Sequence, residues 1–164
     1  MCGSTVERTI DQDPAFALRI LVDVAIRALS PAVNDPTTGT QVIDHLEDTL
    51  ALIGTTAGLD GRWELHDADG RLRVVMPAQR WDDYLALGVT EIREYGATAI
   101  QVIRRLRAMQ LELRELVLPE YVPAIERELE ALERTAHEHF GGTVDLELAG
   151  AWDRQGIGGP RALV

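Results

Sequence analysis

Between Ala15 and Leu29 every position is apolar except Arg19, Asp23 and Arg27. Three polar residues spaced four apart stack along one side of an α-helix. The pattern therefore predicts a helix over 14–29. Asp13 caps its first amides, and Pro14 stands where no amide partner is needed. Ser30-Pro31 stops it, because the residue before proline avoids the helical region. A surface helix shows a polar side over roughly half its circumference, whereas this one shows a single narrow stripe. The expectation is a central helix whose stripe faces a thin strip of solvent or a polar interior. Asp35-Pro36 repeats the starting device. Val42, Leu46, Leu50 and Ile53 follow at helical spacing up to Gly54, predicting a helix over 36–54. The two helices form a hairpin joined through "ALSPAVNDPTTGT", residues 28–40.

The period then changes. In "RWELHDADGRLRVVMP", Trp63 and Leu65 precede "DADG", and Leu72, Val74 and Met76 alternate after it, which predicts a β-hairpin with an Asp-Gly turn. Three long helices are expected beyond it, at 78–94, 97–117 and 120–140. Pro119 separates the last two, and Gly141-Gly142 ends the third. The fold class is mainly α: a helical bundle of about five long helices with one small β-hairpin at about 62–76. Residues 1–7 read as a disordered or tag-like start and 8–142 as a single helical domain. Residues 143–164 read as a short helix and a flexible Gly-rich tail packed on the same domain.

Composition narrows the function more than the fold. The 164 residues are 46% hydrophobic and 26% charged, which is globular rather than disordered. A net charge of −11 argues against nucleic acid and against anionic lipid, both of which need a basic excess. All 16 basic residues are arginine. The single Cys2 excludes an internal disulfide and a cysteine zinc site, and fits a reducing cytoplasm. No run of about 18 apolar residues is present, so the chain is expected to be soluble.

The polar stripe of the first helix admits two readings. Arg19, Asp23 and Arg27 could form an exposed ladder of ion pairs, each contributing about 0.3–0.5 kcal/mol. Alternatively they line a partly buried pocket, where Asp23 stays ionised between two arginines with donors to spare for a small anionic ligand. The 30–38 loop divides in the same way. Capping explains Asp35, but neither capping nor a helix stop requires Asn34 or the hydroxyls of Thr37 and Thr38. Free amides and hydroxyls at a helix start favour an anion, while Asp35 opposes one.

Residues 8–46, "RTIDQDPAFALRILVDVAIRALSPAVNDPTTGTQVIDHL", resemble the soluble C-terminal region of domain-of-unknown-function family 2254, a family of predicted bacterial membrane proteins. "EIREYGATAIQVIRRLRAM" at 91–109 and "DRQGIGG" at 153–159 resemble further segments of that family. The resemblance implies a domain at the cytosolic side of a membrane, beside a membrane-embedded portion or partner. This chain lacks the family's transmembrane segments, so it is either cut from a longer protein or a soluble relative. The family brings no catalytic residues to carry over.

Other chemistry finds less support. His45, His66, His137 and His139 match no metal-ligand spacing, so no metal is assigned, and no cofactor motif is present. Arg104, Arg105 and Arg107, the densest basic group, are expected to pair with acids. Two functions of different class remain. One is a ligand-sensing or protein-interaction domain using Arg19, Asp23, Arg27, Asn34, Asp35, Thr37 and Thr38, with the 97–117 helix available for a homo-oligomer. The other is a metal-free hydrolase or lyase, with Asp23 or Asp35 as general base and Arg19 or Arg27 orienting an anionic substrate. A purely structural role for the loop is the third alternative.

Overall fold

The computed structural model describes residues 13–142, 145–151 and 153. The expected start at 1–7 and most of the expected tail lie outside the described residues. The chain is mainly α, with six helices and a two-stranded antiparallel sheet among the described residues. α1 spans Pro14–Ala28 and α2 Pro36–Gly54. Strands β1 (Asp60–His66) and β2 (Leu72–Arg80) follow. Then come α3 (Trp81–Tyr95), α4 (Ile100–Leu116), α5 (Val122–Phe140) and the short α6 (Asp145–Ala149).

Both Asp-Pro starts form as their chemistry requires. The Asp13 carboxylate accepts the amides of Ala15 and Phe16, at 3.0 and 3.4 Å. The Asp35 carboxylate accepts the Thr38 amide at 3.1 Å. Each such cap contributes about 1 kcal/mol. The hairpin is longer than expected, because β2 continues through Pro77 to Arg80 and moves the start of α3 to Trp81. Proline is tolerated there since β2 is an edge strand. The turn is governed by Asp67, whose carboxylate accepts the amides of Asp69 and Arg71 at 3.0 and 2.9 Å. Gly70 supplies the positive φ of 76° at the return.

α4, not α1, is the central helix. Nine of the 17 residues of α4 are buried, and it packs against α2, α5 and α6. α1 packs on α2 and α3 through Leu18, Val22, Ala25 and Ala28, while Ile20 and Val24 on its other side are exposed. The narrow polar stripe therefore overstated the burial of α1, whose outer surface is partly apolar. The core comprises Leu18, Ile43, Leu46, Leu50, Leu85, Ile92, Ile103, Leu106, Met109, Leu113 and Ile125, all essentially inaccessible. Each contributes about 1.5–3 kcal/mol of transfer free energy. Much of the surface of the 97–117 helix is consequently engaged inside its own fold.

The base of the hairpin is pinned to the helices by Tyr121. Its hydroxyl donates to the Thr56 carbonyl at 3.0 Å and accepts the Leu59 amide at 3.2 Å. Trp81 stacks on the Tyr121 ring with centroids 5.4 Å apart, and its indole N–H donates to the Tyr121 carbonyl. Close approach at this corner requires Gly54, where a Cβ would sit 2.4 Å from Val117 Cγ1.

Candidate functional site

Arg19 and Asp23 lie four residues apart on α1 and therefore share a side. Arg19 Nε donates to Asp23 Oδ1 at 2.8 Å. Its Nη1 and Nη2 donate to the two carboxylate oxygens of Glu91 on α3, at 2.5 and 3.0 Å. The guanidinium thus clamps one carboxylate in bidentate fashion and holds a second. The hydrogen bonds it donates to Glu91 and then to Asp23 raise the Arg19 pKa further, and Arg19 holds the Glu91 carboxyl below the usual range. Arg27 is exposed and makes no ion pair among the described residues. Neither sequence reading of the stripe holds in full. Half of the ladder forms, Arg19 finds its second partner on another helix, and the group lies near the surface with the Arg19 side chain 35% exposed.

The 30–38 loop is a network of short-range bonds. Asp35 N–H donates to the Ala28 carbonyl at 2.8 Å, tying the start of α2 to the end of α1. Asn34 N–H donates to the Ser30 carbonyl at 2.8 Å, and Asn34 adopts φ +50°. Thr38 Oγ1 donates to Asp35 Oδ2 at 2.6 Å, while the exposed Thr37 offers its carbonyl to Thr40 Oγ1. The Thr38 hydroxyl and amide hold the Asp35 carboxyl below the usual range. A carboxylate stabilised in this way is a weak proton acceptor, and Asp23 is tied to Arg19. Beside the loop lies a cleft of about 430 Å³, lined by Leu29, Pro31, Asn34, Glu94, Tyr95 and Thr98. Of the site residues expected from sequence, Asn34 lines this cleft, and the one charged group on its wall is acidic.

The most buried arginine lies elsewhere, between α2 and α4. The Arg105 side chain is 4% exposed and donates through Nε to Asp44 Oδ1 at 2.6 Å and through Nη2 to Glu47. Burial opposes its charge, but Glu47 and Asp44 outweigh that and raise its pKa. Glu47 is pushed up by burial and by the neighbouring carboxyl of Glu112. Arg104 pairs with the buried Asp153 at 3.5 Å and Arg107 with Glu133 at 2.8 Å, so all three members of the basic group meet acids. Gln110 is wholly buried, and neither its amide nitrogen nor its oxygen has a hydrogen-bond partner. Among the described residues no group of three or more His, Cys, Asp or Glu could hold a metal ion.

The largest departure from ordinary surface chemistry is the hairpin. Trp63 lies opposite Met76 and Leu65 opposite Val74, so the four share one side of the ribbon. All four are exposed, from 41% at Met76 to 66% at Trp63. Their alternation was visible in the sequence. What sequence could not show is that no described helix covers them.

The family model described as "Predicted membrane protein (DUF2254)" matches residues 3–111. The chain is 34% identical over 143 residues to uncharacterized proteins of Mycobacterium tuberculosis and Mycobacterium bovis, covering 87% of this chain. It spans 27% of the length of those relatives. No solved structure matches. Among the described residues no helix is long and apolar enough to cross a membrane. The matched span covers well over half of the sequence, and the chain belongs to the DUF2254 family of predicted membrane proteins.

Proposed function

We propose that this chain is a protein-interaction domain of a membrane protein, held at the cytosolic face, and that the apolar side of its β-hairpin is the contact surface. The supporting observation is the set of four exposed side chains, Trp63, Leu65, Val74 and Met76, on one side of a ribbon that leaves the helical body. A contiguous apolar surface of a few hundred Å² is what protein contact sites expose. A two-stranded ribbon is also marginal by itself and gains stability when another element covers it. The net charge of −11 disfavours anionic lipid as the covering surface.

The alternative of a small anionic ligand at Arg19, Asp23, Arg27, Asn34, Asp35, Thr37 and Thr38 draws less support. Arg19 already holds two carboxylates, and the loop groups largely satisfy one another. A hydrolase or lyase using Asp23 or Asp35 draws less still, since Thr38 holds the Asp35 carboxyl below the usual range and Asp23 is bound by Arg19. The test is a photo-crosslinking residue placed at Leu65 in the protein inside bacterial cells, with adducts identified by mass spectrometry. Abundant adducts with defined protein partners at Leu65, absent from the same probe at Glu126, are expected. Equal labelling at both positions would overturn the reading.

A further inference from the structure

Resting on that interaction reading, we infer that the partner at the hairpin is a second copy of this chain, which pairs β1 edge to edge and antiparallel about a two-fold axis at Trp63.

Among the described residues the sheet has two strands, so each has one edge with no strand beside it. β2 contains Pro77, which lacks an N–H and blunts the ladder that a neighbour would use. β1 contains no proline across Asp60–His66 and leaves its edge open. Its polar side alternates in sign: Asp60, Arg62, Glu64 and His66, with Arg62 lying 3.4 Å from Asp60 and 3.3 Å from Glu64. That alternation selects one register. Pairing about Trp63 places Arg62 opposite Glu64 of the second copy, Glu64 opposite its Arg62, and Asp60 opposite its His66. Pairing about Arg62 would set Asp60 against Glu64, and pairing about Glu64 would set Arg62 against His66 and Glu64 against itself. Like charges directly opposite are destabilising, so the Trp63 register is favoured, and it uses the full strand.

Charge balance points the same way. Residues 60–80 contain four acids and four arginines, whereas the whole chain carries −11. The hairpin is thus a neutral stretch through which two acidic bodies can meet without opposing like charge. Pairing yields a four-stranded sheet, above the size at which sheets become independently stable. It also brings the two Trp63 rings side by side on the apolar face.

Analytical ultracentrifugation of the purified chain tests this. A monomer–dimer equilibrium is expected. Glu64→Arg and Arg62→Glu should each weaken dimerisation about tenfold, because two attractive pairs become repulsive. The double reversal Arg62→Glu/Glu64→Arg should restore it. A monomer at every concentration, or a dimer indifferent to either reversal, overturns the inference. Should a reversal disturb the hairpin, Trp63→Cys in a Cys2→Ser background gives a second reading. Directly opposed residues sit about 4.5–5.5 Å apart at Cα, within disulfide range. Trp63→Cys should therefore form a linked dimer and Glu64→Cys should not, while the reverse outcome contradicts the register. A chain that stays monomeric yet crosslinks from Leu65 to a different protein refutes the second copy and leaves the interaction reading standing. Absence of any crosslink refutes both.

Discussion

Arg19 on α1 and Glu91 on α3 form a two-pronged ion pair, Nη1 to Oε1 at 2.5 Å and Nη2 to Oε2 at 3.0 Å, between residues 72 apart in sequence. The pair joins two helices at the surface, and Asp23 completes it. Arg105 makes the comparable contact inside the fold, and the difference in burial separates their energetics. Exposed pairs contribute about 0.2–1 kcal/mol. Removing one partner of a buried group costs about 3–5 kcal/mol, because the remaining charge is left without compensation. Arg19→Met should lower the melting temperature by a few degrees at most. Arg105→Met, which abandons Asp44 and Glu47, should lower it several times further. Thermal unfolding followed by circular dichroism checks the order.

The pH dependence of stability should have two arms. Burial raises the carboxyl of Glu47, with Glu112 adding to the effect, and burial also raises Glu128. A raised folded pKa means that the native state binds the proton more tightly than the unfolded chain. That contribution is complete below the unfolded value and is lost as pH rises through the folded one. Glu91, Asp35 and Asp67 are depressed by Arg19, Thr38 and the Arg71 amide respectively, so their contribution is lost in acid. The melting temperature should rise from pH 7 toward about pH 5 and fall below about pH 4. Glu112→Gln should raise the value at pH 7 and flatten the first arm. A melting temperature that only falls from pH 7 downward would contradict this assignment.

Gln110 offers a gain in stability. Its amide is buried without a partner, a state that costs about 1–3 kcal/mol, and methionine has similar length without that cost. Gln110→Met should raise the denaturation midpoint in urea without changing the slope.

The positive φ of Asn34 makes its tolerance predictable. Glycine adopts φ +50° freely, whereas a residue with a Cβ pays about 1 kcal/mol or more there. Asn34→Gly should be near neutral and Asn34→Val distinctly destabilising, in the same melting assay. Equal losses in both would mean that the side chain, rather than the backbone, holds the loop.

What the sequence revealed followed the range of the interactions. Asp13-Pro14 and Asp35-Pro36 announced two helix starts because a cap involves neighbours three residues away. The ribbon announced itself by its period of two, although its end at Arg80 did not, since Pro77 reads as a stop unless the strand is known to be an edge. The central place of α4 was hidden by Arg104, Arg105 and Gln110. Polar residues look solvated until Asp44, Glu47 and Asp153 are seen against two of them. Glu91 could not have been assigned to Arg19, because no local rule relates the two. The same limit applied to the hairpin face, whose apolar side chains were legible while their lack of a cover was not.

The central claim, that the hairpin face is an interaction surface, is tested most directly by oxidative footprinting of Trp63 and Met76. Their reactivity would be compared between the protein inside cells and the purified chain at high dilution. Strong protection inside cells, lost on dilution, is the predicted result, with the exposed Tyr95 unchanged as a control. Equal reactivity of Trp63 and Met76 in both states would contradict the account.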